Sequence, residues 1–429
     1  MNYIVFIIRR TNDIDHILPL INKCIEKHDH IRVMSFIPRR HEDYLTNYMR
    51  CKHDIFIEYP VFDMQNIFFK IFNKFLSSIK YVLNGKFYKY INHIHYYLRK
   101  YATKKSDNKK FISAVFNNHR SDLIVMDKTN VRGNSIYKHL VQYASSNNIL
   151  MIRLCHGIDM HGTEPVVDGQ SDTDLFSNFY VDNCVQDFYV SQEEFKYGES
   201  SYSLEEGRTK KVSMDFFNKF TLGSMRFSRE WVKKYTEIQK YDNNAYPIIS
   251  ANKKTILLVT SVSHWVHTDI LASLINAIID RFDVNILWKP HTRYNKIDSK
   301  ISSSLKPNNI IFSYYNTPGL MDIADVTVLC GISSIGLHSV LSLSPLVVAE
   351  HTSRYKTYYS KYMAACISTS ENDVLTNIEN ILYGDMNCYK KSNVSKLIKN
   401  VVNSGNSVNV IDSHYDLISE MIDLCNNLS

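Results

Sequence analysis

The stretch Val326-Thr327-Val328-Leu329-Cys330-Gly331-Ile332-Ser333-Ser334-Ile335-Gly336-Leu337-His338 contains the plan of the whole molecule in one unit. A short unbroken apolar run, Val326–Leu329, reads as a strand buried on both faces. Gly331 marks a turn, and small hydroxyl residues then open a helix. The same unit recurs on either side. Thr255–Thr260 reads as a strand, Asp269–Arg281 as a helix and Val284–Trp288 as a strand, and Ile310–Phe312 and Leu346–Val348 continue the series. Toward the N-terminus, Ile4–Ile8, Ile31–Ile37, Leu123–Met126 and Leu150–Leu154 are runs of the same kind, with helical patterns near 13–26 and 134–146. Such alternation predicts an α/β chain of parallel sheets with helices on both faces.

A charged helix, Arg226–Lys240, and an Asn-rich stretch, Tyr241–Lys254, separate the two series. The expected organisation is a Rossmann-like domain over 1–240, a second over 241–406, and a helix over 407–429 that packs back on the first domain. A length of 429 residues suits two domains. With 45% hydrophobic and 22% charged residues, the composition excludes disordered and collagen-like classes. Eight scattered cysteines without a CxxC fit a reducing compartment and argue against a disulfide framework. The apolar N-terminus is too short for a signal segment, and no run of apolar residues is long enough to span a bilayer. A cytoplasmic chain is expected.

The surplus of basic residues is uneven. Residues 64–106 contain no Asp or Glu but nine Lys or Arg, interleaved with aromatics such as Phe68, Phe72, Phe75, Tyr88 and Tyr97. Two readings stay open for this basic aromatic helical insertion. It packs its aromatics into the first domain, or it makes peripheral contact with an anionic membrane on the inner face. No nucleic-acid partner is expected, because no motif of a recognised reader is present.

Ligands of open parallel sheets bind at the carboxyl ends of the strands. Lys289-Pro290-His291-Thr292-Arg293 lies at such an end, as do Ser261 and Ser263 after Thr260, and Gly331 to Ser334 after Cys330. Basic side chains, hydroxyls and a glycine turn make a place for a nucleotide phosphate; a plain helix cap is the other reading of the serines. In the first half, Arg153-Leu154-Cys155-His156-Gly157-Ile158-Asp159 follows a strand. Its His156 or Asp159, or Asp127 at a neighbouring strand end, are candidates for taking an acceptor proton.

These stretches, with Leu222-Gly223-Ser224-Met225-Arg226-Phe227, resemble the ordered motifs of GT-B glycosyltransferases of bacterial surface polysaccharides and related polyol-phosphate transferases. The resemblance covers about 150–350 and extends to enzymes using CMP-activated ulosonic acids. It implies two Rossmann-like domains across a cleft. It also implies transfer of a sugar, an ulosonic acid from a CMP donor, to a glycan acceptor, free or lipid-linked. A CDP-polyol transferase and a sugar-nucleotide 2-epimerase are the alternatives. The donor would rest on Lys289, His291, Ser333, Ser334, Ser261, Ser263, Arg226, Ser224 and His338. The acceptor side would include Gly157, Glu164 and Arg132, with His156, Asp159, Asp127 and His291 as catalytic candidates. Departures are Thr292 in place of the second proline of K-P-H-P, and His338 where an acidic residue is usual. Neither metal nor cofactor is expected; Asp172-Thr173-Asp174 has a metal-binding form but lies in a polar stretch.

Overall fold

The computed structural model describes residues 3–8, 11–27, 29–35, 44–53, 57–58, 112, 116, 123–127, 140, 143–154, 187–191, 202–205, 208–211, 219–261, 266–291, 301, 304–305, 310–354, 357, 359–363, 366–384, 389, 391–403 and 409–428. The stretch 64–106 and most of the helix expected over 134–146 lie outside them.

The first sheet is built from β1 (Tyr3–Ile8), β2 (His30–Ser35), β3 (Ile57–Glu58), β4 (Leu123–Asp127), β5 (Leu150–Leu154) and β6 (Asp187–Ser191). A short hairpin follows, β7 (Tyr202–Glu205) and β8 (Arg208–Lys211), before β9 (Lys219–Thr221) rejoins the sheet. The order is β3-β2-β1-β4-β5-β6-β9, with every pairing parallel. The second sheet takes β10 (Thr255–Thr260), β11 (Asn285–Lys289), β12 (Ile310–Phe312), β13 (Val326–Cys330), β14 (Leu346–Ala349) and β15 (Ile367–Ser368) in the order β12-β11-β10-β13-β14-β15. It too is parallel throughout. In both sheets the strand order reverses beside the first strand, at β1/β4 and at β10/β13. Crevices for ligands open at such switch points.

Central strands are apolar on both faces because each face is covered. In β1, Ile4, Phe6 and Ile8 enter one core, while Val5 and Ile7 enter another across the sheet. β10 divides likewise, with Leu257 and Val259 on one side and Ile256 and Leu258 on the other. The helix α1 (Thr11–Glu26) buries Ile14, Ile17, Leu18 and Ile21, the i, i+3, i+4, i+7 stripe of an amphipathic helix. Beside it pack α2 (Tyr44–His53) and α3 (Arg229–Ile238), the latter through Trp231, Tyr235 and Ile238. Around the second sheet lie α4 (Thr268–Arg281), α5 (Thr317–Ile323), α6 (Gly336–Ser342), α7 (Tyr359–Tyr362), α8 (Glu371–Tyr383) and α9 (Lys391–Leu397). The last helix, α10 (Val410–Leu428), returns to the first core through Val410, Ile411, Leu417, Ile418 and Met421, and its Asp412 pairs with Lys23 of α1.

The chain therefore crosses between the cores twice. At the outgoing crossing Met225 is buried in the first core and Phe227, two residues on, in the second. Gly223 makes this possible. Its φ is +87°, and a Cβ there would lie 2.2 Å from the carbonyl oxygen of Val402, on the returning crossing. That same oxygen accepts a hydrogen bond from the Ser224 amide at 2.8 Å.

The Asn-rich linker is bonded down rather than loose. Asn285 receives the Ser250 amide at 3.1 Å and donates to the Ser250 carbonyl at 2.9 Å. Asp242 accepts from the Asn316 amide at 2.7 Å, at the start of α5. Among the described residues, no helix is long and apolar enough to cross a membrane.

Candidate nucleotide crevice

At the switch point of the second sheet, the loop leaving β10 and the turn leaving β13 are tied together. The Ser261 amide donates to the Cys330 carbonyl at 2.9 Å, and its Oγ donates to the Ile332 carbonyl at 2.7 Å. Gly331 adopts φ +84°, a left-handed conformation that disfavours side chains. A Cβ there would lie 2.5 Å from Val266 Cγ1 and 2.8 Å from Ser261 Cβ. So glycine is required twice over, once by torsion and once by space.

The serines do not cap a helix. α6 begins at Gly336, its N-cap is Ile335, and no side chain caps it. Ser333 Oγ instead accepts a long local bond of 3.4 Å from the Ile335 amide. The turn is held from below by Tyr359, whose hydroxyl donates to the Ser333 carbonyl at 3.0 Å and reaches Ser334 at 3.4 Å. Nothing in sequence pointed to Tyr359, because it arrives from beyond the next strand, β14. The half-buried Ser333 and Ser334 are left at the mouth of the crevice.

β11 supplies the third wall, with a difference from the sequence reading. The strand runs to Lys289, one residue further than expected, so Lys289 is part of the sheet and buried. Its Nζ donates to the carbonyls of Tyr314 and Tyr315 at 2.9 and 2.7 Å, which ties down the loop after β12. Burial lowers its pKa to about 8, against the pull of Asp242. Lys289 is thus occupied in holding the wall, while His291, half-buried past Pro290, lies at the strand end itself.

Three other residues expected at the donor lie instead at the joint between the cores. The Ser224 side chain is buried in the outgoing crossing. Arg226 forms an ion pair through Nε with Asp15 of α1, and the hydroxyl of Tyr235 donates to the same carboxylate. Burial and the neighbouring Asp15 charge hold Tyr235 well above the ordinary phenol range. His338 is buried on α6 and packs edge-on against Tyr235, with ring centroids 5.3 Å apart. The Gly-x-x-Arg stretch is therefore the joint of the molecule, and Asp15 is the partner that sequence reasoning missed.

From the first sheet, Asp127 ends β4 at the switch point and is buried. His156, Gly157, Asp159, Glu164, Arg132 and Ser263 lie outside the described residues. Among the described residues no group of three or more His, Cys, Asp or Glu could hold a metal ion.

Burial lowers the pKa of His338 to about 4, and does the same for His414 of α10, whose Nδ1 lies 2.7 Å from the Val410 carbonyl. An unfolded histidine titrates near pH 6.5, so below that pH the unfolded chain binds more protons. Stability is full above about pH 6.5 and falls as pH drops toward 4. Each histidine should cost roughly 1–1.5 kcal/mol by pH 5.5. Unfolding at pH 7.5 and pH 5.5 tests this. The difference should shrink in His414→Gln and again in His338→Gln; an unchanged difference in both would exclude these groups as the cause.

No protein-family model matches the sequence, and no curated protein matches it. Solved structures do match in fold. The UDP-GlcNAc 2-epimerase from Neisseria meningitidis bound to UDP-GlcNAc aligns with a TM-score of 0.54 at 12% identity, over 97% of this chain and 100% of that one. The UDP-N-acetylglucosamine 2-epimerase from Rickettsia bellii gives 0.54 at 11%, over 99% and 98%. The glycotransferase of kitacinnamycin gives 0.50 at 10%, over 98% of each chain. The architecture is the GT-B arrangement of two Rossmann-like α/β domains, matched from end to end.

Proposed function

We propose that this chain acts on a nucleotide-activated sugar, and that its reaction is inversion at a ring carbon of a UDP-sugar, a 2-epimerase activity. The observation that carries the reading is the β10/β13 switch-point crevice. Ser261 and Gly331 fix its backbone, Ser333 and Ser334 stand at its mouth, and His291 flanks it. Support for epimerisation over transfer comes from the higher TM-scores of the 2-epimerases, 0.54 against 0.50 for the glycotransferase, at similar coverage. Inversion at C2 balances as an elimination and re-addition. The C2 proton is taken as the C1–O bond to UDP breaks and a C1=C2 double bond forms; UDP then re-adds at C1 while a proton returns to C2 on the opposite face. His291 from the second sheet and Asp127 from the first are the described groups suited to handle it. The turn amides and serine hydroxyls would stabilise charge on the diphosphate. In this reading Lys289 and Arg226 position the walls and touch no phosphate.

Glycosyl transfer is the second reading, and one observation favours it. The basic aromatic stretch 64–106 suits a lipid-linked glycan acceptor or an anionic membrane surface, neither of which an epimerase needs. CMP-activated ulosonic acid remains the donor under that reading.

Thermal unfolding with UDP, CMP, CDP, GDP and ADP separates them. At 100 times its dissociation constant a ligand adds ~2.7 kcal/mol. UDP is expected to stabilise the chain and His291→Ala to remove the effect. Incubation with UDP-GlcNAc should then yield the 2-epimer by proton NMR without release of free sugar onto an acceptor. Stabilisation by CMP alone would replace epimerisation with transfer, and no shift with any nucleotide would sink both.

A further inference from the structure

A cavity of about 430 Å³ lies at the joint, away from the crevice. Its size is that of a small-molecule site. One wall is α3, which belongs to the first core through Trp231 and Tyr235. The other is the carboxyl half of α6 with Val394 and Ile398, which belongs to the second core through Val340 and Val394. The Ser333–Ser334 turn is at the opposite end of α6.

The lining has two characters. Val232, Val340, Leu341 and Leu343 form an apolar floor, and Leu343 is 66% exposed in a left-handed conformation with φ 58°. At the rim, Arg229 and Lys233 stand one turn apart on α3, both exposed, and neither has an ion-pair partner among the described residues. Like charges at this spacing repel, and an anion between them relieves the repulsion. Asp322, the acidic group of the lining, accepts from Gln239 Nε2 at 2.9 Å. Deeper in, the buried His338 is part of the lining, and its imidazole forms no side-chain hydrogen bond among the described residues. An apolar floor, two cations without an ion-pair partner among the described residues and one buried polar ring describe a particular ligand chemistry.

We infer that this cavity is a second ligand site, for a small anionic amphiphile. An apolar ring or chain would lie on Val232, Val340 and Leu341, its carboxylate, sulfonate or phosphate would sit between Arg229 and Lys233, and a polar atom would meet His338. Such an occupant touches both cores and so sets the angle between them. The inference does not rest on the nucleotide reading.

The test uses the full chain and 8-anilinonaphthalene-1-sulfonate, a fused-ring sulfonate that fluoresces when bound, with and without UDP. One dye per chain is expected, unaffected by UDP. The Arg229→Glu/Lys233→Glu variant should weaken binding at least tenfold, and Ser342→Trp, which fills the cavity from an exposed position, should abolish it. Uncharged 1-naphthol should bind at least tenfold more weakly than the dye. Circular dichroism and melting temperature check that the variants are folded. Absence of dye binding, or binding that both variants leave unchanged, would overturn the site. Displacement by UDP would assign the dye to the crevice and overturn it equally.

Discussion

Arg226→Ala is expected to lower the unfolding free energy by about 3–5 kcal/mol, the range for breaking one side of a buried ion pair. Asp15 is buried on α1 and receives only two described groups, the Arg226 guanidinium and the Tyr235 hydroxyl. Without the arginine, a carboxylate remains in low dielectric with a single neutral donor. It must then take up a proton or draw in water, and both oppose folding. The arginine also lies over the ring of Phe227, 5.0 Å from its centroid, so its loss loosens the second core as well. Urea unfolding measures the effect. Asp15→Asn in the Arg226→Ala background should recover much of the loss, since it removes the stranded charge. A loss under about 1 kcal/mol in the single variant would show that the pair is not holding the joint.

Gly223→Ala should be nearly as severe, at about 3 kcal/mol. A left-handed backbone costs a residue with a side chain roughly 1–2 kcal/mol, and overpacking a tight site adds ~1–3 kcal/mol. Here the obstacle, 2.2 Å from the new methyl carbon, is the Val402 carbonyl, a backbone atom of the returning crossing that cannot swing aside. The two crossings would be pushed apart and the Ser224–Val402 hydrogen bond broken. Calorimetry is expected to show one transition for the parent and two for the variant as the cores uncouple. One unshifted transition would refute this account of the joint.

Much of the scaffold was legible in sequence because buried parallel strands are continuous apolar runs. Thr255–Thr260, Leu150–Leu154 and Ile310–Phe312 stand in the structure with the bounds expected for them. The outer strands were not legible. β3 and β15 have two residues each, too few for any periodicity, and β3 exists through pairing: Glu58 accepts two bonds of 2.8 Å from Arg32 of β2. At the crevice, Ser261, His291 and the Gly331 turn could be placed because strand ends and glycine turns are local signals. The surroundings of Lys289, Arg226 and His338 could not. Each depends on a partner far away in the chain: Tyr314 and Tyr315, Asp15, and Tyr235. Residue type alone made Lys289 and Arg226 look like phosphate ligands; the fold also gives them carbonyls and a carboxylate to satisfy.

The brevity of the outer strands has another consequence. Among the described residues the first large sheet ends in β3 and β9 and the second in β12 and β15, none longer than three residues. A foreign strand adding to any of these borders would find only a few open amides and carbonyls, too few to offset the entropy of its capture. The long apolar strands that would template such growth lie in the middle, sealed on both sides. The described borders of the two large sheets are thereby poor templates for fibrillar growth, even though the interior strands are of the kind that aggregate when exposed.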